Sequence, residues 1–322
     1  MSDQRPAVGV DLGGTKIHSL VATPEGAVLG EDRRLTDAAE GVYAVIGRMA
    51  GSVRAALEAA GLELDGICGV GMCTPGPCDT SRGVVTYAPN LAGWVDVPIV
   101  ARMSKALGVP ALLEHDTAAA CYGEFRFGAG RGFQHVVYVT LSTGIGGGMI
   151  FDGKLYHGAS GAAGEVGHLI VDADGPQCGC GNRGCVEALA SGIALAREAA
   201  GAIAAGRSDV LAEVVGEAEA SAEHLHKAAL QGDAVSREII ERAGRYAGLG
   251  LAAVLNFLNP QALILGGGLL GLGDLYLRPA LDAARAATFD QMLADVTITE
   301  ATLGERAGAL GAAALMVEHG PR

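Results

Sequence analysis

The sequence contains no apolar run of the length, about 18 residues or more, that a membrane-spanning helix needs. Its N-terminus, MSDQRPAVGV, lacks the charged and apolar regions of a secretory signal peptide. The seven cysteines are odd in number, which does not suit a framework of paired disulfides. These absences argue against a membrane or exported protein, and they predict a soluble cytoplasmic chain with reduced thiols.

Basic residues are also scarce. The 23 lysines and arginines stand against 36 acidic residues, which gives a formal net charge of −13. Such a charge disfavours general binding to nucleic acid, because the phosphate backbone would be repelled. The acidic balance is ordinary for a soluble metabolic enzyme that acts on small molecules.

The sequence has no GxxxxGK[ST] loop, yet it contains 50 glycines without a collagen-like period. Its apolar runs are short and alternate with Ala-rich segments, which predicts an α/β protein. Three strand patterns run into Gly-rich turns: DLGGTK at Asp11–Lys16, STGIGGG at Ser142–Gly148 and LGGGL at Leu265–Leu269. Successive backbone N–H groups in such turns can bind an anion. The first two turns, roughly 130 residues apart, suggest an internal duplication of a nucleotide-binding unit.

The segment Gly164–Glu187 has the densest set of reactive side chains in the chain. It contains the residues Glu165, His168, Cys178, Cys180, Cys185 and Glu187. Three thiolates and one imidazole form a Cys3His set, which predicts a closed, structural zinc site. Scattered buried thiols are the plainer alternative, and an iron–sulfur cluster would normally require a fourth thiolate.

A strand pattern at Pro110–Leu113 leads into Glu114, His115 and Asp116, and a helix is predicted over Thr117–Phe125. Asp116 is therefore predicted to be the N-cap residue of that helix. The carboxyl ends of strands are also where ligands gather in open α/β sheets. Both a capping role and a chemical role for Asp116 remain open at this point.

DLGGTK, EHD, STGIGGG, GEVGH, CGCGNRGCVE and LGGGL occur in the order in which the ROK family has them. The chain resembles that family from about Val8 to its last helix. The family comprises bacterial sugar kinases and transcriptional repressors. The resemblance implies an α/β fold of the duplicated actin/hexokinase (ribonuclease H-like) type, with two domains and a cleft between them. The domains expected are residues 1–115 plus about 303–322, and residues 116–302.

The resemblance also implies ATP-dependent phosphorylation of a hexose at its 6-hydroxyl, with glucose as the expected substrate and Asp116 as the general base. ATP with Mg²⁺, a structural Zn²⁺ and a homodimer or homotetramer are implied as well, without nucleic-acid or membrane partners. The candidate nucleotide-binding residues are Asp11, Gly13, Gly14, Thr15, Lys16, Thr143, Gly144, Gly266, Gly267 and Gly268. The candidate sugar-binding residues are Gly76, Asn90, His115, Asp116, Glu165, His168 and Glu187. The implied zinc ligands are His168, Cys178, Cys180 and Cys185.

Two departures from the family pattern bear on function. His115 stands where the family usually has asparagine, which leaves the preferred sugar open, and Ser142 stands where glycine is common. A kinase for N-acetylglucosamine, N-acetylmannosamine or fructose is therefore a near alternative. Polyphosphate-dependent relatives generally lack the cysteine cluster, and a protein without activity would not need Asp116 and both phosphate loops.

A sugar-responsive regulator is the alternative from another class. Only about six residues precede the first predicted strand, which leaves no room for a helix-turn-helix domain. On this ground a kinase is the expected activity.

Overall fold

The computed structural model describes residues 5–88 and 91–320 of the chain. Strands and helices alternate along most of this length, as the short apolar runs and Ala-rich segments predict. The strands are β1 (Ala7–Leu12), β2 (Lys16–Ala22), β3 (Val28–Leu35), β4 (Val70–Thr74), β5 (Cys78–Asp79), β6 (Val84–Tyr87), β7 (Val95–Val97), β8 (Ala111–His115), β9 (Val136–Leu141), β10 (Ile145–Phe151), β11 (Lys154–Leu155), β12 (Ala262–Gly266) and β13 (Thr297–Glu300). The helices are α1 (Val42–Ala60), α2 (Ile99–Leu107), α3 (Asp116–Phe127), α4 (Val186–Ala190), α5 (Gly192–Ala204), α6 (Asp209–Val215), α7 (Ala222–Leu230), α8 (Ala234–Leu258), α9 (Asp274–Ala287), α10 (Asp290–Leu293) and α11 (Ala307–His319).

Two five-stranded sheets share one strand order. The first is β3-β2-β1-β4-β8 and the second is β11-β10-β9-β12-β13, so each runs third, second, first, fourth, fifth in its own chain order. In the first sheet β1 pairs antiparallel with β2 and parallel with β4, and β4 pairs parallel with β8. The repeated order is the structural form of the predicted duplication. A third sheet, β5-β6-β7, was not predicted, because its strands are only two to four residues long.

The chain divides into two compact units. Unit 1 comprises Met1–Tyr138, Gly148–Gly164 and Ala301–Arg322, and unit 2 comprises Val139–Gly147 and Glu165–Glu300. This grouping differs from the predicted domains at Asp116, because α3 packs against α11 within unit 1. The domain boundary between residues 115 and 116 stays a prediction.

Helix α11 packs so closely on the first sheet that its backbone touches the backbone of the strands. A Cβ atom built on Gly9 of β1 would overlap the carbonyl oxygen of Ala309, and one on Gly71 of β4 would overlap that of Ala312. Helix α3 approaches equally closely, since a Cβ on Gly311 would overlap the carbonyl oxygen of Ala119. Only glycine allows these approaches. The Ala- and Gly-rich sequence of α11 is therefore a packing requirement of unit 1.

Glu124 joins the C-terminal end of α3 to the segment before α11. Its side chain is fully buried. Its carboxylate accepts hydrogen bonds from the backbone N–H groups of Ala129 at 2.8 Å, Thr302 at 2.9 Å and Leu303 at 2.7 Å. The Thr302 hydroxyl adds a fourth at 3.2 Å. A buried carboxylate is tolerated here because several donors replace its hydration.

Among the helices that the structure describes, none combines the length and the apolar composition that crossing a bilayer requires.

We predict that Glu124→Ala lowers the free energy of unfolding by about 3 kcal/mol or more, because buried N–H groups are left without acceptors. Unfolding in urea, followed by circular dichroism, measures the loss. Glu58→Ala, an exposed position on α1, is the matched control and changes stability by no more than about 0.5 kcal/mol. Equal stability of the two variants would show that the Glu124 hydrogen bonds contribute nothing.

Candidate active site

The first Gly-rich loop connects β1 to β2 in unit 1. The N–H of Gly13 donates to the carbonyl oxygen of Lys16 at 2.9 Å, which closes the turn. The carbonyl oxygen of Gly13 accepts from the hydroxyl of Thr36 at 2.7 Å, and Thr36 is fully buried. The buried Thr36 thus fixes the loop by its hydrogen bond, while Thr15 and Lys16 are exposed at the tip of the loop. This is an arrangement that can receive an anion.

Asp11 lies at the end of β1, directly before this loop. Burial, followed by the negative charge of Asp116, raises the pKa of its carboxyl to about 7, and a hydrogen bond from the Cys73 thiol opposes the rise. Burial, followed by the charge of Asp11, raises the pKa of Cys73, so this thiol keeps its proton and remains a donor. A Cβ built on Gly308, in the first turn of α11, would lie 2.9 Å from Asp11 Oδ2. The carboxylate is therefore crowded on the helix side. On its other side it borders a cavity of about 250 Å³.

Asp116 is the first residue of α3. The N-cap is His115, which has extended dihedral angles, so the prediction of Asp116 as N-cap is wrong. Its Oδ1 accepts instead from the N–H of the next residue, Thr117, at 2.6 Å. Because Asp116 already has the helical conformation, its side chain does not accept from the N–H groups two or three residues further on, as an N-cap side chain would. About a third of the side chain is exposed to solvent.

His115 interacts with its two successors in the chain. Its Nδ1 lies 3.1 Å from Asp116 Oδ1 and 3.0 Å from Thr117 Oγ1. The imidazole is about one-third exposed. The predicted sugar-binding histidine is thus also a direct neighbour of the predicted base.

Glu114 and His157 form a second interacting pair, which sequence reasoning missed, and this pair supports the segment that carries His115. The buried Glu114 accepts from the backbone N–H of His115 at 2.9 Å through Oε1, and its Oε2 lies 2.8 Å from His157 Nε2. The hydrogen bond to Glu114 raises the pKa of His157, against the effect of burial. His157 follows β11 without any recognisable motif, so nothing in the sequence connected it with Glu114.

The second Gly-rich loop, Ser142–Gly144, joins β9 to β10 in unit 2. The N–H of Ser142 donates to the carbonyl oxygen of Gly144 at 2.9 Å. The carbonyl oxygens of Ser142 and Thr143 accept from Gly192 at 2.8 Å and Ile193 at 3.2 Å, the first two residues of α5. Ser142 does not have a positive φ, so serine is accommodated without strain at this position. The predicted effect of this departure from the family is accordingly small.

Unit 2 contains a cavity of about 480 Å³ beside this loop. It is lined by Thr143 and Gly268 among the predicted nucleotide residues, and by the N-terminal residues of α5 and α7. Gly267, at the end of β12, has φ +97°, and a Cβ there would overlap the carbonyl oxygen of Leu141. The first residues of α5 and α7, which line this cavity, were not predicted to be site residues. Their signal is the N-cap serines Ser191 and Ser221, which mark where each helix begins.

The structure brings the four predicted metal ligands together. The ligand atoms of His168, Cys178, Cys180 and Cys185 lie within 4.8 Å of one another. His168 Nδ1 is 3.7 Å from Cys178 Sγ, and Cys180 Sγ is 3.7 Å from Cys185 Sγ. Bonds of about 2.3 Å to sulfur and 2.0–2.1 Å to nitrogen would place tetrahedral ligands about 3.5–3.8 Å apart. The donor set therefore fits a zinc ion.

Backbone geometry shapes the loop that carries these ligands. Cys178 donates its N–H to the carbonyl oxygen of Asn182 at 2.8 Å, and Gly181 donates to that of Cys178 at 3.0 Å. Gly181 has φ +96° and Gly184 has φ +67°, and a Cβ on Gly184 would overlap the carbonyl oxygen of Asp172. The glycines between the cysteines are required for the turn that gathers the sulfur atoms.

The predicted sugar residues of unit 2 flank this set. His168 uses Nδ1 toward the sulfur atoms, and its Nε2 lies 3.8 Å from Glu165 Oε2. Glu187 Oε2 accepts from the N–H of Ile145 at 2.9 Å, directly after the second Gly-rich loop. Glu165 is exposed and Glu187 is half-buried, so both carboxylates retain lone pairs for hydroxyl groups.

Two further candidates lie between β4 and β7. Gly76 has φ +86°, and a Cβ there would overlap the carbonyl oxygen of Tyr87. Asn90, a predicted sugar ligand, lies outside the described residues. The neighbouring Trp94 is buried and packs in the core of unit 1, as expected for a packing anchor.

Comparison with known proteins yields a consistent set of relatives. The model of the ROK family matches residues 7–319. A glucokinase of Thermotoga maritima is 35% identical over 97% of this chain and 97% of its own length. The crystal structure of a ROK family glucokinase from Streptomyces griseus, in complex with glucose and AMPPNP, has a TM-score of 0.81 and 36% identity, and covers 96% of this chain and 98% of that one. A xylose repressor of Bacillus subtilis is 32% identical over 79% of this chain and 62% of its own length. The likeness in structure confirms the predicted fold class, the α/β fold of the actin/hexokinase type.

We predict that Asp11→Asn raises the free energy of unfolding above pH 7 by at least about 1 kcal/mol, measured without nucleotide or Mg²⁺. The pKa of Asp11 is raised to about 7 in the folded state from an ordinary value of 3.8, so the folded protein keeps this proton longer than the unfolded chain does. Stability attributable to this group falls as pH rises from about 4 to 7, and the asparagine avoids that loss.

Urea unfolding at pH 5 and pH 8 measures this difference. Asp282→Asn, an exposed position on α9, is the control. A gain that is the same at both pH values would contradict the assigned cause.

Proposed function

The chain belongs to the ROK family, and we propose that it is a sugar kinase that transfers the terminal phosphoryl group of ATP to the 6-hydroxyl of glucose. The observation that carries this proposal is the position of Asp116. Its carboxylate is partly exposed at the start of α3, one of its oxygens accepts from a backbone N–H, and its negative charge is near enough to raise the pKa of Asp11. The glucokinases that resemble the chain over nearly its full length support the choice of reaction and of sugar.

In this reaction Asp116 accepts a hydrogen bond from the sugar hydroxyl. As the bond from the sugar oxygen to phosphorus forms, the proton passes to Asp116, and the bond from phosphorus to the bridging oxygen of ADP breaks. The transition state of phosphoryl transfer is loose, so orientation of the hydroxyl contributes more than removal of its proton. A carboxylate fixed at one oxygen is suited to that task.

The cavity of unit 2 is assigned to the nucleotide. Its volume, about 480 Å³, lies within the range of roughly 300–1,000 Å³ for small-molecule sites. The loop Ser142–Gly144 is fixed by its hydrogen bonds to α5, so its N–H groups need no reordering when a phosphate arrives. In unit 1, the loop after Asp11 is assigned to the terminal phosphates. Mg²⁺, when bound with ATP, would neutralise phosphate charge, and Asp11 would hold it through water.

The sugar is assigned to Asp116, His115, Glu165, Glu187 and His168 Nε2, with Gly76 and Asn90 as further candidates. Glucose presents several hydroxyl groups, each of which needs a partner once it leaves water. Carboxylates accept from two hydroxyls each, so Glu165 and Glu187 offer strong selection against a sugar that lacks one of them. The cytoplasmic location and the homo-oligomeric state remain predictions.

We assign Zn²⁺ to the Cys3His set, in a structural role. All four ligand positions are filled by protein atoms, so no position is open for a reacting water. Burial, followed by hydrogen bonds to Cys180 and Cys178, raises the pKa of the Cys185 thiol, and a bound divalent cation would favour its thiolate form. The ion would then hold His168 and the segment between Glu165 and Glu187 in one conformation.

We predict that Cys180→Ser lowers the zinc content well below one ion per chain and reduces the melting temperature, because one of the four ligands is lost. Elemental analysis after gel filtration measures the zinc. Cys78→Ser, a half-buried cysteine on β5, is the control and retains its zinc. Full occupancy in Cys180→Ser would remove Cys180 from the ligand set.

The function itself is tested by a coupled assay over hexoses and N-acetylhexosamines, with ATP and with polyphosphate as donors. We expect glucose with ATP to give the highest kcat/KM. Asp116→Ala is expected to lower kcat by about 10²–10⁴-fold while glucose binding, followed by the fluorescence of Trp94, persists. Near-normal turnover in this variant would refute the assigned base.

Other results would favour other functions. A preference for N-acetylglucosamine, N-acetylmannosamine or fructose would retain the kinase and change its substrate. Sugar binding without phosphoryl transfer to any acceptor would favour a sugar-responsive regulator, such as the repressors of the same family.

A further inference from the structure

We propose that His115 positions the catalytic carboxylate through Nδ1, and that Asp116 Oδ2 is the atom that receives the substrate's proton. This proposal rests on the proposed function, since it assigns Asp116 as the base. It adds to His115 a role toward the base, distinct from any contact that the ring makes with the sugar.

The surroundings of Nδ1 determine which nitrogen carries the hydrogen when the ring is neutral. Nδ1 faces a carboxylate oxygen, Asp116 Oδ1, at 3.1 Å and a hydroxyl oxygen, Thr117 Oγ1, at 3.0 Å. A hydrogen on Nδ1 can be accepted by Thr117 Oγ1, and it is also attracted by the negative charge of Asp116 Oδ1. If the hydrogen were on Nε2, the lone pair of Nδ1 would face the lone pairs of a carboxylate, which is unfavourable. The ring is therefore held as the Nδ1–H tautomer, and Nε2 is left as an acceptor.

The two oxygens of Asp116 then have different surroundings. Oδ1 accepts from the Thr117 N–H at 2.6 Å and faces the Nδ1–H of His115 at 3.1 Å. Within residues 5–88 and 91–320, no hydrogen bond to Oδ2 is formed. The backbone hydrogen bond and the nearby imidazole nitrogen both act on Oδ1, and Oδ2 is the oxygen that neither of them engages. A reacting hydroxyl would meet Oδ2.

His115 is itself held in place. Glu114 accepts from its backbone N–H at 2.9 Å, and His157 binds the other oxygen of Glu114 at 2.8 Å. Hydrogen bonds thus lead from His157 through Glu114 to the backbone of His115, and the ring of His115 lies 3.1 Å from Asp116 Oδ1. Such support matters because small displacements of a reacting group are costly to the rate.

Isosteric substitutions separate the two nitrogens of the ring. Asparagine places an amide N–H where His115 has Nδ1, and glutamine places one where it has Nε2. His115→Asn is expected to retain more kcat than His115→Gln, while His115→Gln and His115→Leu lower kcat by about 10- to 100-fold. KM for glucose is also measured for each variant, because loss of a sugar contact through Nε2 would change KM. His319→Asn, exposed near the end of α11, controls for loss of a histidine.

The reverse order, with kcat retained in His115→Gln and lost in His115→Asn, would overturn the proposal in favour of a sugar contact through Nε2. Unchanged kcat in all three variants would also overturn it.

The tautomer is tested without any activity. In ¹⁵N-histidine-labelled wild-type protein, the signals absent from His115→Asn belong to His115. We expect them to show hydrogen on Nδ1 and a bare Nε2 in the neutral ring, and to change in Asp116→Ala. A neutral ring with hydrogen on Nε2 would overturn the proposal, even if the wild-type protein phosphorylates no sugar. Failure of the kinase assignment is thus distinguishable from failure of this inference.

Discussion

The contact of α11 with the glycines of the first sheet is the constraint on which unit 1 depends. Where Gly9 and Gly71 lack a side chain, carbonyl oxygens of α11 occupy the space. Helix α3 reaches the same helix across Gly311 and Ala119. Asp11 is the penultimate residue of β1 and Asp116 is the first residue of α3, so both carboxylates are positioned by elements packed on α11. Any side chain at these glycines would move a strand or helix and the functional group at its end.

This close packing has an electrostatic consequence. Asp11 is confined between Cys73 and the first turn of α11, and burial raises its pKa to about 7. A carboxylate in such a place lowers the stability of the free protein at neutral pH and favours a cation beside it. Asp116 differs, since it is partly exposed and holds hydrogen-bond donors at one oxygen. The two carboxylates of unit 1 therefore have different surroundings, in keeping with the different roles proposed for them.

In unit 2, the candidate metal site is formed by residues that lie close together in the sequence. Its four candidate metal ligands lie within 18 residues of sequence, and glycines with positive φ fold the intervening chain around them. The same segment carries Glu165 at one end and leads into α4 with Glu187 at the other. Because Glu187 also binds the N–H of Ile145, the metal loop and the second Gly-rich loop are mechanically connected.

Local pattern alone was enough to predict the alternation of strands and helices, the three Gly-rich turns and the Cys3His set, because each depends on residues close in sequence. Through the resemblance to the ROK family, the sequence motifs were also enough to predict the fold class. Local pattern misplaced the role of Asp116 at its helix start, since one residue decides between capping a helix and beginning it. It missed His157, the cavity-lining starts of α5 and α7, and the third sheet. These depend on partners tens of residues away, and only the packed chain decides them, because a hydrogen bond such as that between His157 and Glu114 exists only once separate strands and loops have been brought together.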